Sequence, residues 1–569
     1  MRPLKIICLW LILLFATLGC RSSVTPEEER PYVVFSDKAG AYSGSQKTIT
    51  LSAPEGHRIY YTLDGSTPTT ESTPYSKPIP LTKEGNRWVD QSVAEKMAIK
   101  LGDQLLLPIN VASNLPGANI IRAIAVAPDG TRSEVVTKSF FIGADLRKDF
   151  GNVMVVSIVT DPTNLLDYEK GIFVTGKLFD EWISTTEATD VMSNEQWWLV
   201  TANYTQKGKP WERPVSIEFF DDSNTLSHQQ DAGLRLKGAV SRQFAQRSFN
   251  LYFRDSYGVK DLSYPIFYDS PLKSFSLRNG GNDTEYLKFK DSWIQSRLRD
   301  RAFTTQLSRI AIVFVNGEYW GHYNLVEQYD DRYTENHFGV KDPLVIKEEE
   351  VEEGQDSDIQ LYKDLMAFKD KDLSDESEWR AFKQVMDTRS MADYFAAEIF
   401  IANSDWRQDK NIELWRSTTV NPSNPYEDGR WRFMLYDIEF SSSLYDDFYE
   451  ETRFAFDSFS KAIEEHPLFA AALRNEEFRQ LFKESISDIS SRCFDPEDTE
   501  KDLRVWEREW KPYMSDYYKR FGDNSWAWGR YMDSTIAFFK NRASHIIPAV
   551  EKGLAEIIQD KEDTDGGAS

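Results

Sequence analysis

Short apolar runs alternate with turn-forming residues between residues 32 and 143, a pattern typical of β-structure. The runs KTITLSA, HRIYYTL, IIRAIAVA and SEVVTKSFFI are rich in β-branched and aromatic residues. The stretches PEG, LDGSTPT and PDGTRS separate these runs and supply turn chemistry. Several short strands at this spacing predict a β-sandwich over residues 32–143. We expect it to fold independently, with residues 81–118 as a long insertion.

Residues 150–450 mix strand and helix patterns. VMVVSIVT, RPVSIEFFD, AGLRLKGA, RSFNLYFR and SFSLRN favour strands, whereas FKDSWIQSRLRDRAFTTQLS and MADYFAAEIFIANSD favour helices. The pair Asn316-Gly317 predicts a tight hairpin. Apolar side chains then recur at helical spacing, so residues 451–556 are expected to be helical and residues 557–569 to form a disordered tail. The predicted fold class is therefore α+β.

The first twenty residues follow a different pattern. Arg2 and Lys5 precede an apolar run that ends at Cys20, and the run has about the length of a signal peptide. It resembles a bacterial lipoprotein signal, in which the cysteine carries lipid; an uncleaved anchor helix is the alternative. Residues 21–31 are polar and predict a tether. These features predict a membrane-anchored lipoprotein of the bacterial cell envelope, on the periplasmic side or at the surface.

Composition excludes several classes of function. The formal net charge of −24 argues against nucleic-acid partners, whose phosphates require a basic face. Of the three cysteines, Cys8 lies in the signal and Cys20 is the expected lipid site, which leaves Cys493 without an internal disulfide partner. With only six histidines in the chain, the usual zinc ligands are also scarce.

Two isolated carboxylates stand in NSDWRQDKNIELWR and WRFMLYDIEF. Phosphoryl transfer needs a group that orients the attacking hydroxyl, oxygen ligands for Mg²⁺ and a cation for the phosphates. Asp405 and Asn411 lie on one loop after a predicted helix, and Asp437 follows an apolar strand-like run. Spacing alone leaves structural readings open, with Asp405 as a helix N-cap and Asp437 as a strand-end residue.

Several ordered motifs between residues 150 and 450 together resemble the spore-coat protein H (CotH) kinase-like family. The motifs are LRLKGAVSRQFAQRSFNLYFRDSYG (Leu234–Gly258), LRNGGND (Leu277–Asp283), VNGEYWGHYNLVEQYD (Val315–Asp330), NSDWRQDKNIELWR (Asn403–Arg416) and GRWRFMLYDIEFS (Gly429–Ser441). The resemblance implies a two-lobed atypical protein-kinase fold that binds ATP with Mg²⁺ or another divalent cation. It also implies transfer of the γ-phosphoryl group to Ser or Thr of a surface or secreted protein.

The resemblance assigns a role to each matching position. Asp405 matches the catalytic aspartate, while Asn411 and Asp437 match the metal-binding residues. Arg247 stands where the family has its phosphate-binding lysine. Glu327 is expected at the connection between the two lobes, near the adenine.

Three positions depart from the family pattern. Arg247 replaces a lysine, and the two side chains are not interchangeable at a site built for a point charge. Glu439 stands where a second aspartate is usual, and Ser441–Ser443 replace a glycine-rich turn. These departures support an alternative, in which the chain is a catalytically weak or inactive binding or structural protein of the envelope. Without the resemblance, Arg247 would be read as an ion-pair partner on a neighbouring strand.

The N-terminal segment resembles the immunoglobulin-like module at the C-terminus of chitobiases and hexosaminidases. The resemblance rests on IYYTLDGSTPT (Ile59–Thr69) and IRAIAVAPDGTRSEVVTKSFFI (Ile121–Ile142). It implies an accessory role without catalysis. Trp88, in the insertion, could contact glycan, and a structural role is the alternative.

Overall fold

The structure is a computed structural model that describes residues 32–566, apart from 102–103, 107–108, 113, 195, 222, 443, 445–452 and 523–524. Within these ranges the chain has the predicted α+β architecture, with a β-rich N-terminal module, a closed barrel and a helical C-terminal part. The expected signal, the lipid site Cys20, the tether and Ser443 lie outside the described residues. Among the described helices, none is both long and apolar enough to cross a membrane.

The N-terminal module pairs its strands mainly as antiparallel neighbours. Its largest sheet has the order β2-β11-β10-β5-β6, and β1-β4, β3-β7 and β8-β9 form smaller pairs. Ile59, Ile121 and Phe140 are among the residues of its apolar core. The elements are β1 (Val34–Phe35), β2 (Gly40–Tyr42), β3 (Gln46–Ile49), β4 (Leu51–Ser52), β5 (Arg58–Thr62), β6 (Thr73–Pro74), β7 (Ile79–Thr82), α1 (Gln91–Met97), β8 (Ile99–Leu101), β9 (Gln104–Leu106), β10 (Asn119–Val126) and β11 (Val136–Ile142).

The next segment closes into a barrel with the strand order β12-β13-β14-β15-β16-β18-β17. The predicted hairpin is confirmed: Asn316 and Gly317 join β17 to β18 with φ angles of 46° and 83°, and tight two-residue turns favour positive φ. The elements are α2 (Leu146–Phe150), β12 (Met154–Val159), α3 (Pro162–Leu166), α4 (Gly176–Trp182), α5 (Thr186–Ser193), β13 (Arg213–Phe220), β14 (His228–Lys237), β15 (Ser248–Tyr252), β16 (Ser274–Arg278), α6 (Lys290–Arg297), β17 (Ser308–Val315) and β18 (Glu318–Glu327).

The remaining chain combines a four-stranded sheet, β20-β19-β21-β22, with helices. Helix α10 is buried along most of its length and lies in the core of this part. The elements are α7 (Asp331–Phe338), β19 (Pro343–Lys347), β20 (Glu350–Glu353), α8 (Ile359–Met366), α9 (Glu376–Val385), α10 (Thr388–Ile401), β21 (Glu413–Ser417), β22 (Arg432–Met434), α11 (Ser458–Glu465), α12 (Pro467–Ala472), α13 (Glu476–Asp488), α14 (Pro496–Phe521) and α15 (Ser525–Gly566).

Helix α15 extends into the segment that was expected to be a disordered tail. Val550 and Leu554 are buried in the large apolar core, and Ile557 packs against it. Because these side chains recur at helical spacing, the helix gains packing beyond residue 556. The described chain is helical as far as Gly566.

The insertion at residues 81–118 packs on the barrel. The Trp88 ring stacks on Trp320 with a centroid separation of 5.3 Å, and its indole Nε1 donates to the carbonyl oxygen of Val315 at 2.9 Å. Val93 and Met97 of α1 belong to the same apolar cluster as the barrel interior. These contacts give Trp88 a structural role, and they make the module and the barrel share a core.

A buried carboxyl group also lies between the module and the barrel. Glu218 of β13 accepts hydrogen bonds from the backbone N–H of Ser139 at 3.3 Å and from the Ser139 hydroxyl. The Ser139 hydroxyl is also 2.7 Å from that of Ser157 on β12. Burial raises the pKa of Glu218 from 4.5 to about 7, although the Ser139 hydrogen bonds and the charge of Lys138 oppose the shift.

Glu218 is therefore expected to make stability depend on pH. Its contribution is fully present below the unfolded-state pKa of 4.5 and is lost as pH rises through about 7. Between about pH 6 and about pH 8.5 this carboxyl group should lower the free energy of unfolding by about 1–2 kcal/mol. Urea unfolding of Glu218→Gln should lack this part of the pH dependence. Glu55→Gln, at an exposed position, is the control, and an unchanged pH slope in Glu218→Gln would contradict the prediction.

Candidate functional site

Three acidic side chains from two separate parts of the chain converge beside the barrel. Asp291 lies on α6, and Asp437 and Glu439 follow β22. One carboxylate oxygen from each residue lies within 4.8 Å of the other two. Arg278, the last residue of β16, contacts all three acids: its Nη1 is 3.1 Å from Asp291, its Nη2 is 2.9 Å from Asp437, and Nη2 also pairs with Glu439.

The turn that carries two of these acids is fixed by the segment around α6. Lys290 Nζ donates to the carbonyl oxygens of Glu439 at 3.3 Å and Ser441 at 3.2 Å. Gly281 has a φ of 56°, and a Cβ atom there would lie 2.3 Å from Glu439 Oε1. A larger residue at this position would therefore displace the acidic side chain. Asp437 itself has a φ of 55°, a strained conformation that clusters at functional sites.

The pKa values of Asp437 and Glu439 are shifted in opposite directions. Burial raises the pKa of Glu439 well above its ordinary value; Arg278 opposes this shift and Asp437 reinforces it. Burial also disfavours the charged form of Asp437, but a hydrogen bond with Glu439 and the charge of Arg278 hold its pKa below the ordinary value. Within this coupled pair, ionisation is therefore favoured at Asp437 and disfavoured at Glu439. The Asp437 side chain is also the more accessible of the two, 35% exposed against 3%.

Two lysines bring further positive charge to the same place. Lys237 ends β14, and Lys347 ends β19 with its Nζ 3.5 Å from the centroid of the Tyr436 ring. Burial lowers the pKa of Lys237 to about 7, with repulsion from Lys347 and Arg278 adding to the shift. An anion bound between these side chains would stabilise the charged form of Lys237.

The loop after α10 holds Asp405 and Asn411 together. The carboxylate of Asp405 pairs with Lys410, and Asn411 Nδ2 donates to the Asp405 carbonyl oxygen at 2.7 Å and to its Oδ2 at 3.3 Å. Ser404 donates from its backbone N–H to the carbonyl oxygen of Phe440 at 3.4 Å. The Asp405 loop therefore contacts the turn that carries Asp437.

The sheet register places the segments of Asn411 and Asp437 at the same end of the sheet. Glu413 opens β21 and lies opposite Met434, which ends the antiparallel strand β22. Asn411 precedes β21 and Asp437 follows β22, so both residues leave the sheet at the same end. Asn411 also has a positive φ, 56°, which asparagine tolerates better than most residues. The structure thus brings Asp405 and Asn411 into contact with each other, and it places Asp437 on a segment that leaves the sheet at the same end.

Arg247 does not reach this site. Its side chain is buried, with Nη2 donating to the carbonyl oxygen of Met97 at 3.2 Å. The guanidinium lies 4.5 Å from the Tyr204 ring centroid and 5.7 Å from that of Phe173. It therefore joins the insertion to the barrel interior. Arg278 is the arginine that the fold places among the acids.

Glu327 ends β18, where the chain leaves the barrel. Its carboxylate accepts hydrogen bonds from the backbone N–H of Leu307 at 2.7 Å and pairs with His337 Nε2 at 2.9 Å. Its own N–H donates to the Leu307 carbonyl, and its carbonyl accepts from Gln306 Nε2 at 2.6 Å. Because these groups are engaged within the protein, the structure gives Glu327 a structural role and no evident contact surface for adenine.

Sequence reasoning missed Arg278, Asp291, Lys237 and Lys347. Arg278 and Lys237 both stood inside motifs that carried the family resemblance, LRNGGND and LRLKGAVSRQF, which is the signal that could have found them. Asp291 and Lys347 had no comparable local signal.

The residues present fit a divalent cation of the Mg²⁺ type. Carboxylate oxygens are the hard ligands that Mg²⁺ prefers. Asp437 is partly accessible, and against the effect of burial its pKa is held below the ordinary value by a hydrogen bond with Glu439 and by the charge of Arg278. Asp291 and Glu439 supply further oxygens within reach of the same point. Asn411 is oriented by its two hydrogen bonds to Asp405, on the adjoining loop.

Two protein-family models match the chain, in the same regions as the motifs described above. Residues 234–546, more than half of the chain, match a family model described as CotH kinase protein. Residues 48–140 match a model described as Fn3 associated, which supports an associated N-terminal module. A search of curated proteins finds no match. The matched segment includes the residues of the candidate site, Arg278, Asp291, Asp405, Asn411 and Asp437. The chain therefore belongs to the CotH kinase protein family.

Proposed function

We propose that this protein is a metal-dependent phosphotransferase that transfers the γ-phosphoryl group of ATP to a Ser or Thr hydroxyl of another protein. One observation carries the proposal: the ion pair between Arg278 and Asp291 adjoins Asp437. In protein kinases a strand lysine pairs with a helix glutamate, next to the aspartate that holds Mg²⁺. The chain has residues of the same kinds in the same order, which are Arg278 on β16, Asp291 on α6 and Asp437 after β22. The side chains of Asp291 and Asp437 both contact Arg278.

The comparison with protein kinases also supports a two-lobed architecture for the molecule. The barrel with α6 would form one lobe, and the helical part with the β20-β19-β21-β22 sheet would form the other. Glu327 lies at the connection between them. Arg278 and Asp437 then face each other across the lobes, as a site for a nucleotide between two bodies requires.

Each side chain has a distinct task in the proposed reaction. Arg278, Lys237 and Lys347 would hold the phosphates. Asp437, with Asp291 and Glu439 beside it, would hold the metal ion, which when bound neutralises phosphate charge. The hydroxyl oxygen of the acceptor forms a bond to the γ-phosphorus, the bond from that phosphorus to the bridging oxygen breaks, and ADP leaves with the electron pair. Asp405 orients the hydroxyl and accepts its proton.

A second candidate function has its own supporting observation. Arg278 already contacts all three acids of the site, so its guanidinium could take the role of a metal ion in a purely structural cluster. The protein would then be an inactive kinase-like binding or structural protein. We place either function in the bacterial envelope, through lipid on Cys20, and this localisation remains a prediction.

Thermal stability separates the two candidates. A ligand that binds the folded state alone stabilises it by about 2.7 kcal/mol at a hundred times its Kd. The full chain should therefore melt at a higher temperature with Mg²⁺ and ATP together than with either alone. Equal melting temperatures under all conditions would favour the structural protein.

Substitution of the two aspartates should have different effects. Asp437→Asn is expected to weaken Mg²⁺-dependent ATP binding about tenfold or more, since loss of a charged ligand costs at least about 1.4 kcal/mol. Asp405→Asn should leave ATP affinity nearly unchanged and lower transfer by about 10²–10⁴-fold, because a general base acts only in the reacting complex. Calorimetry and transfer of labelled phosphate measure the two effects. Asp409→Asn, on the same loop with an exposed side chain, is the control, and equal loss of binding in both variants would contradict these roles.

A further inference from the structure

A cavity of about 510 Å³ adjoins the acidic site. Five aromatic residues line it: Trp197, Trp198, Phe244, Tyr286 and Phe440. Trp197 contacts both Trp198 and Phe244, with ring centroids 5.9 Å and 6.2 Å apart. Trp198 is 42% exposed, and together with the other aromatic rings of the lining it forms a contiguous apolar surface, the kind that marks binding sites.

The cavity lies at the phosphate end of the proposed nucleotide site. Lys237 pairs in register with Ser248, and Arg278 pairs with Asn324, three residues before Glu327 on β18. The loops that follow Lys237 and Arg278 therefore leave the barrel away from the Glu327 connection. Residues of both loops line the cavity, as does Phe440, which follows Glu439 directly.

Apart from the exposed carboxylate of Glu285, the walls of the cavity match an apolar side chain better than a sugar. The Thr284 hydroxyl already donates to the Asn279 carbonyl oxygen at 3.0 Å, and Asn282 is also engaged within the protein. A sugar would bring hydroxyl groups that need hydrogen-bond partners when buried. Aromatic rings instead provide a large apolar surface, and contact between such rings adds about 0.5–1.5 kcal/mol to the effect of burial.

The loop that forms one wall is also held in place. Gln243 Nε2 donates to the carbonyl oxygen of Trp198 at 2.7 Å, so the loop after Lys237 is tied to the tryptophan pair. One wall of the cavity is therefore held by the loop that follows Lys237, one of the proposed phosphate-binding residues.

We propose that this cavity is an acceptor subsite, which binds an aromatic or large aliphatic side chain of the protein segment that carries the phosphorylated hydroxyl. The proposal rests on the proposed phosphotransferase function. The occupant is a polypeptide segment because Phe440, which lines the cavity, accepts a hydrogen bond from the backbone N–H of Ser404, the residue before Asp405, where the acceptor hydroxyl would lie. A large apolar side chain near the hydroxyl would then select the acceptor.

Binding of fluorescein-labelled, N-acetylated peptides to the full chain tests the subsite without ATP. Each peptide has a central serine and one Phe, Trp, Leu or Ala at a varied flanking position. We expect at least one position at which a large apolar residue binds about tenfold more tightly than alanine. Trp198→Ala should remove this preference, and Leu199→Ala, an exposed neighbour outside the lining, should keep it. Val240→Asp, which adds a charge to the lining, is the second variant should Trp198→Ala fail to fold.

The outcomes separate the subsite from the proposed function. Absence of any position with an apolar preference, or a preference that survives both Trp198→Ala and Val240→Asp, overturns the subsite. Transfer of labelled phosphate from ATP to the same peptides is measured in parallel. Transfer without an apolar preference overturns the subsite and leaves the phosphotransferase function standing. Binding with the preference but without nucleotide binding or transfer supports the cavity as a peptide site and overturns the phosphotransferase function.

Discussion

Replacement of Arg278 by methionine is expected to reduce phosphoryl transfer about a thousandfold, the loss that follows removal of a charged group at a phosphoryl-transfer site. Arg278 is the side chain that joins Asp291, Asp437 and Glu439. Methionine has a similar length and no charge, so both the phosphates and the three acids lose their common partner. Labelled-phosphate transfer measures the activity, and calorimetry measures Mg²⁺-ATP affinity.

Arg247→Lys is the matched control for this prediction. The family resemblance placed the phosphate-binding cation at Arg247, but its guanidinium contacts Met97 and the ring of Tyr204 inside the barrel. Substitution there is expected to leave ATP affinity unchanged, and a lysine at this position is not expected to raise activity. Arg278→Lys should retain part of the activity, because it keeps the charge and loses the planar fork that contacts several acids at once.

The opposite result in these two variants would assign phosphate binding to Arg247 instead of Arg278. Full activity in Arg278→Met together with altered ATP affinity in Arg247→Lys would place the phosphates at Arg247. Circular dichroism shows whether Arg278→Met folds. If it does not fold, transfer activity and ATP affinity are measured in Arg278→Lys instead.

Glu318→Gln is expected to lower the free energy of unfolding by about 3–5 kcal/mol, the usual cost of breaking a buried ion pair by removing one partner. Glu318 begins β18 and is almost fully buried. Its carboxylate pairs with Arg520 of α14 and with Arg87 of the insertion, and its Oε2 accepts from the backbone N–H of Trp88 at 3.0 Å. The side chain of Arg520 has no solvent exposure, so neutral glutamine leaves its charge unbalanced.

Urea unfolding monitored by circular dichroism measures this loss. Glu376→Gln is the control, because Glu376 pairs with Arg380 on an exposed helix face and such pairs contribute little. A midpoint in Glu318→Gln equal to that of the control would show that the buried pair does not stabilise the fold.

The Glu318 contacts also revise the expectation that residues 32–143 form an independent unit. Glu318 joins the insertion, the barrel and α14 at one point. The insertion also contributes α1 to the barrel's apolar cluster. Removal of the module would therefore expose apolar surface of the barrel, and the two parts are expected to unfold together.

The sequence by itself determined the local elements. Strand β12, helix α10 and the Asn316-Gly317 hairpin follow from side-chain periodicity and turn chemistry, which act over a few residues. It also placed Asp405, Asn411 and Asp437 in one candidate site through the resemblance of their motifs to a family, and this site stays a prediction. The register of β21 and β22 then brings Asn411 and Asp437 to one end.

Only the tertiary structure decided which cation meets these acids. Arg278 and Asp437 are separated by 159 positions in the chain, and closure of the barrel against the helical part brings them into contact. Arg247 and Arg278 carry the same chemical group. The side chain of Arg247, just before β15, enters the core, whereas that of Arg278, at the end of β16, meets the acids of the site. These directions depend on tertiary packing that no local motif contains.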